Sequence, residues 1–125
     1  MLPSSTVTYF LEEVHLSTSP AIASVCRGWI FVEGKTSCFA VRARSGRQTT
    51  LAISHQPRSD VAATYPTEKS AVFSGFLVSF KALNRKPVYL EWLDNSGNWH
   101  EFWHESTRSV TKRNSPNKPP ILLDA

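Results

Sequence analysis

Residues 100–104, His100-Glu101-Phe102-Trp103-His104, spell the H-E-x-x-H pattern of zinc hydrolases. In that chemistry two imidazoles four residues apart hold one metal ion, and the intervening glutamate acts as the base. The pattern works on a helix, where side chains i and i+4 share a face. On an extended strand four residues span about 13 Å, too far for two ligands of one ion. Here the pentapeptide is rich in β-favouring aromatics and follows the turn-forming Asp94-Asn95-Ser96-Gly97-Asn98. It therefore reads as strand. A small metal-dependent hydrolase using His100, Glu101 and His104 is the lesser alternative. The remaining histidines, His15 and His55, stand alone in the sequence. Without a Gly-rich phosphate loop, a nucleophile elbow or closely spaced Cys/His pairs, the expectation is a non-catalytic chain with no cofactor and no metal ion.

The aromatic residues offer a different kind of chemistry. Trp29 and Trp92 read as core, whereas Tyr89, Trp99 and Trp103 are candidates for a shared face. Such a face suits the C–H surface of a sugar, a protein partner, or the covering of a second core, and the sequence leaves all three open. Arg42, Arg44, Arg47 and Arg58 are the only basic concentration before residue 108. Arg42 and Arg44 alternate and so project from one side of a strand. The net charge of +4 is unevenly spread: residues 108–125 hold four basic groups and one acid, or 4 − 1 = +3, leaving +1 for residues 1–107. A duplex-binding face needs clustered positive charge on the folded surface, so nucleic acid is not the expected partner.

These residues must be positioned by strands. The 125 residues, with 41% hydrophobic and 19% charged side chains, make one folded domain. Period-2 or apolar runs occur at 7–11, 25–32, 38–44, 49–54, 76–81, 88–93 and 99–104, punctuated by Gly, Pro, Asn and Ser. They predict an all-β, immunoglobulin-like antiparallel β-sandwich of about seven strands over residues 1–107. Residues 108–125, with Asn114-Ser115-Pro116-Asn117-Lys118-Pro119-Pro120, read as a basic, Pro-rich tail or linker. No apolar run approaches the roughly 20 residues of a membrane span, and the start lacks the features of a signal peptide. The expected compartment is the cytoplasm, without a membrane partner.

Three local expectations follow. Cys26 and Cys38 flank the turn-like Glu33-Gly34-Lys35-Thr36; a hairpin there would set Cys26 near Ala43 and Cys38 near Phe31, beyond the roughly 7 Å Cα limit of a disulfide. Two free, buried thiols are expected, as in a reducing compartment. The connection from about Gln56 to Ser74 should hold one helical turn, capped by Ser59 or Asp60 and stopped by Pro66, with Val61, Tyr65 and Phe73 as apolar anchors. A three-residue loop with Gly97 left-handed pairs Asp94 with Asn98. That register sets Trp92 opposite His100, Leu90 opposite Phe102 and Glu91 opposite Glu101, and places Tyr89, Trp99 and Trp103 on the face away from Leu90.

Arg27-Gly28-Trp29, Arg58-Ser59-Asp60-Val61-Ala62-Ala63-Thr64-Tyr65-Pro66 and Ser74-Gly75-Phe76, with the hairpin from Asp94 to Trp99, carry a resemblance. In this order they resemble a small bacterial β-sandwich accessory domain found beside glycosyltransferase or methyltransferase catalytic domains, usually ahead of them. Its pattern is a Gly-Trp strand, then R-x-D-V-A-x-x-Y-P, then S-G-F, and the likeness covers roughly residues 25–103. The resemblance implies a non-catalytic accessory module of a bacterial glycan-modifying protein. Such a module would bind carbohydrate or position a neighbouring catalytic domain, with Tyr89, Trp99 and Trp103 at the contact. Arg58 and Asp60 have a structural reading, ordering the helical turn, and a lesser one as ligand groups. A purely structural spacer, its aromatics all buried, is the other alternative.

Overall fold

The computed structural model describes residues 7–19, 21–34, 40–83, 86–106 and 112–113. Among these residues nine strands form two antiparallel sheets. They are β1 (Val7–His15), β2 (Ser24–Val32), β3 (Ala40–Ser45), β4 (Gln48–Leu51), β5 (Ile53–Gln56), β6 (Gly75–Phe80), β7 (Val88–Leu93), β8 (Trp99–Glu105) and β9 (Lys112–Arg113). One sheet runs β5-β6-β2-β1-β9 and the other β4-β3-β7-β8. In the immunoglobulin fold the strand orders are D-E-B-A and G-F-C, and β5-β6-β2-β1 and β8-β7-β3 reproduce both, with β4 added beside β3. The expected sandwich is therefore the observed fold.

Alternation decides which side chains meet between the sheets. Leu11 and Val14 of β1, Cys26 and Ile30 of β2, Phe76 and Val78 of β6 face Val41 and Ala43 of β3 and Leu90 and Trp92 of β7 in one buried cluster. The apolar run in β2 buries both of its faces. Cys26 and Ile30 enter the sandwich core, while Trp29 and Phe31 point outward into a second cluster with Val61 and Ala71. The cover of that second core is the crossover between β5 and β6. It holds helix α1 (Ser59–Thr64) and a 3-10 turn (Lys69–Ala71). The crossover is tied to the sandwich by Ile30 N–H to Ser74 C=O (3.0 Å), by the Ser70 hydroxyl to Val32 C=O (3.2 Å) and by Gly34 N–H to the Glu68 carboxylate (2.9 Å).

Several expectations need correcting. Strands β2 and β3 do not form a hairpin but lie in different sheets. Cys26 is a free, buried thiol, which burial, then Glu105 and Glu13, push up to about 12. Cys38 lies outside the described residues. The run at 49–54 divides at Ala52 into β4 and β5, which belong to opposite sheets. Helix α1 has Arg58 at its N-cap and no side-chain cap hydrogen bond, so neither Ser59 nor Asp60 caps it. Val61 and Tyr65 anchor the crossover as expected, but Phe73 is 55% exposed and Ala71 takes the buried position. Two residues of the tail, Lys112 and Arg113, pair with His15 and Val14 at the edge of a sheet; residues 108–111 and 114–125 lie outside the described set.

Candidate functional site

The second sheet presents a regular grid on its outer face. Cross-strand pairing lines up Leu51, Arg42, Glu91 and Glu101 in one row across β4, β3, β7 and β8. The adjacent row holds Thr49, Arg44, Tyr89 and His104, and a third holds Ala40, Leu93 and Trp99. Because Val41, Ala43, Leu90 and Trp92 take the inward positions, all of these residues face away from the core.

Glu91 organises the grid. It is 7% exposed as a residue, and each side-chain oxygen accepts from a different arginine: Arg42 Nε at 2.8 Å and Arg44 Nε at 3.1 Å. Each guanidinium also lies over an aromatic ring, Arg42 Cζ 4.1 Å from the Trp99 centroid and Arg44 Cζ 4.3 Å from the Tyr89 centroid. Tyr89 has a further neighbour in His104, centroids 5.8 Å apart. The result is a continuous series, Trp99–Arg42–Glu91–Arg44–Tyr89, in which each long side chain is held by its neighbours. Cation–π contacts of this kind contribute about 0.5–1 kcal/mol each where partly exposed.

The hairpin explains why Trp103 is missing from this face. Asp94 N–H donates to Asn98 C=O (2.9 Å), and Gly97, at φ +89°, takes the left-handed position. Trp92 stands opposite His100 and Glu91 opposite Glu101, as the turn predicts. The register then shifts: Leu90 pairs with Trp103 rather than Phe102, and Tyr89 with His104. Phe102 is the extra residue of a β-bulge. It packs its ring on Tyr9 and Phe76, and Trp103 turns into the sandwich core at 8% exposure. The expected trio is thus reduced to Tyr89 and Trp99, joined by Arg42, Arg44 and Glu91. Nothing in the pairing rules announced the bulge.

The H-E-x-x-H residues do not converge. They lie on β8, where His100 shares the side of Trp92 and His104 the opposite side with Tyr89. His100 Nε2 hydrogen-bonds the Asp94 carboxylate at 2.7 Å, and His104 Nδ1 that of Glu101 at 2.7 Å. Asp94 is held well below its ordinary carboxyl value of 3.8, to about 2, by His100 first and by the backbone N–H groups of Asn98 and Ser96. Among the described residues no group of three or more His, Cys, Asp or Glu side chains is placed to hold a metal ion.

Arg58 and Asp60 sit on the other layer, at the foot of the crossover. The Arg58 side chain is 19% exposed, and its guanidinium donates to both oxygens of Glu12 (2.9 and 2.7 Å) and both oxygens of Asp60 (2.9 and 2.7 Å). Glu12 is itself the bulged residue of β1, skipped where Leu11 pairs with Gly28 and Glu13 with Arg27. Glu12 also accepts from Arg27 (3.1 Å). The hydrogen bond from Arg58 is the first cause of the lowered Asp60 carboxyl. This network staples α1 to β1 and fills the guanidinium with protein acceptors, so its geometry is that of a structural clamp.

Among the described residues no helix is long and apolar enough to cross a membrane. Compared with known proteins, the chain matches no family model, no curated protein and no solved structure.

Proposed function

We propose that the chain is a non-catalytic docking module that holds a protein partner against the outer face of its β4-β3-β7-β8 sheet. The observation that carries this reading is the Trp99–Arg42–Glu91–Arg44–Tyr89 series. Trp, Tyr and Arg are the residue types that dominate protein–protein binding energy. Their mutual contacts fix the rotamers beforehand, so docking orders fewer side chains. Sugar stacking, by contrast, uses a free ring face. A guanidinium takes one face of each ring here, and Tyr89 has His104 beside it as well. The arrangement therefore supports the positioning role over the carbohydrate role. The resemblance to accessory domains of glycan-modifying proteins adds a candidate occupant, a catalytic domain of the glycosyltransferase or methyltransferase kind.

A photo-reactive phenylalanine analogue placed at Glu101 or His104, in the cells the protein comes from, tests this. It should give an adduct with one defined protein other than the chain itself, and the same analogue at exposed Phe73 should not. With that partner purified, Arg42→Ala or Trp99→Ala should weaken binding by about thirtyfold, the effect of a side chain worth about 2 kcal/mol at an interface. Equal adducts from Phe73, or affinity indifferent to both substitutions, would remove the reading.

A further inference from the structure

Among the described residues, strand β4 is the open edge of its sheet. Edge strands usually carry lysine, proline or a bulge that discourages further pairing. Residues 48–54, Gln48-Thr49-Thr50-Leu51-Ala52-Ile53-Ser54, have no charged residue and no proline, and Leu51 is 68% exposed. The backbone is equally available. Ala52 N–H donates to Val41 C=O at 2.8 Å, in the same register that pairs Thr50 with Ala43 and Gln48 with Ser45. In an antiparallel ladder, groups directed to one neighbour alternate with groups directed to the other. Positions 48, 50 and 52 therefore serve β3, and the N–H and C=O groups of Thr49 and Leu51 point outward, where the sheet has no further strand among the described residues.

We propose that two copies of this chain pair antiparallel through β4, about a two-fold axis at Thr50, to form one continuous eight-stranded sheet. This register sets Thr49 of each copy opposite Leu51 of the other as hydrogen-bonded pairs, giving four backbone hydrogen bonds. Both residues belong to the outer face, so the two grids run on across the junction. Self-pairing sets a strand against its own sequence, so a charge near the axis lies close to its own copy. This edge has none to repel. Arg47 flanks the start of β4, but in this register its counterpart lies six residues, about 20 Å, away along the strand. Arg42 and Arg44 lie one strand in, and each copy's β3 is three strand spacings from the other, about 14 Å. That exceeds the screening length of about 8 Å at physiological salt. At the axis Thr50 meets Thr50, a favourable cross-strand pair.

Sedimentation velocity of the full chain, from micromolar to submillimolar concentration, should show a shift from 14.0 kDa towards twice that mass. Leu51→Pro removes an outward N–H while sparing the bonds to β3, and it should leave a folded monomer by circular dichroism. Thr49→Lys should do the same through edge charge. Thr50→Cys, in a Cys38→Ser background, should form a reducible covalent dimer on mild oxidation, because a non-hydrogen-bonded pair brings the Cα atoms to about 4.5 Å. Gln48→Cys should not, since its counterpart lies about 13 Å along the strand. A chain that stays monomeric throughout overturns the proposal, as does a dimer indifferent to both Leu51→Pro and Thr49→Lys. A monomer that instead takes up an extended peptide at this edge overturns it too.

Discussion

Glu91 shows how one residue changes meaning between sequence and fold. Opposite Glu101 in the hairpin it reads as a mildly unfavourable like-charge pair. On its other side, however, stands Arg42, with Arg44 two residues along β3. Both arginines come from a segment nearly fifty residues away in sequence, which alternation places on a face but assigns to no partner. Removing the carboxylate would leave two guanidiniums side by side without their acceptor. Hydrogen bonds to charged groups contribute about 1.5–3 kcal/mol, so Glu91→Ala should lower stability by about 2 kcal/mol in urea denaturation. Arg42→Ala should cost less, because Glu91 keeps Arg44. Equal or opposite effects would mean that the acid does not organise the face. Trp103 makes the complementary point: its type was legible, its direction was not, because the bulge at Phe102 reverses the parity of everything beyond it.

At the scale of elements, the alternating strands β3, β6 and β7 and the 94–98 turn were readable because one face of each is buried and the turn chemistry is local. Allotment of strands to sheets was not. The segment after β2 crosses to the other sheet instead of folding back, and β4 and β5 part at a single alanine with no Gly or Pro to mark the switch. The short elements do leave an electrostatic signature. Asp94 in the hairpin lies below its ordinary value of 3.8, at about 2, and Asp60 in α1 is also lowered. A depressed carboxyl binds its proton less readily when folded than when unfolded, so in acid the unfolded chain holds more protons. Each contribution is complete above about pH 4–5 and disappears as pH falls through the folded value. Urea midpoints should therefore drop between about pH 5 and pH 2, and Asp94→Asn or Asp60→Asn should flatten that drop. An unchanged slope in both variants would locate the acid sensitivity elsewhere.

Among the described residues the whole molecule carries a third layer on one side only. The β5-β6-β2-β1-β9 sheet carries the crossover over Trp29 and Phe31, while the outer grid of the other sheet lies open among the described residues. Among the described residues the two cores are unequal, four buried hydrophobic side chains under the crossover against sixteen between the sheets. The smaller one also holds the indole Nε1 of Trp29, which has no hydrogen-bond partner among the described residues. Helix α1 has six residues, too few to persist without tertiary support. Its attachment rests on Val61 and on the Arg58 clamp to Glu12. The crossover should thus open as a unit below the free energy of global unfolding. Amides of 59–72 should exchange while those of β7 stay protected, and Arg58→Ala should speed that exchange about tenfold, equivalent to about 1.4 kcal/mol, without touching β7. If crossover and β7 amides instead exchange at one rate with one denaturant dependence, the molecule unfolds as a single block and the second core is an integral part of the first.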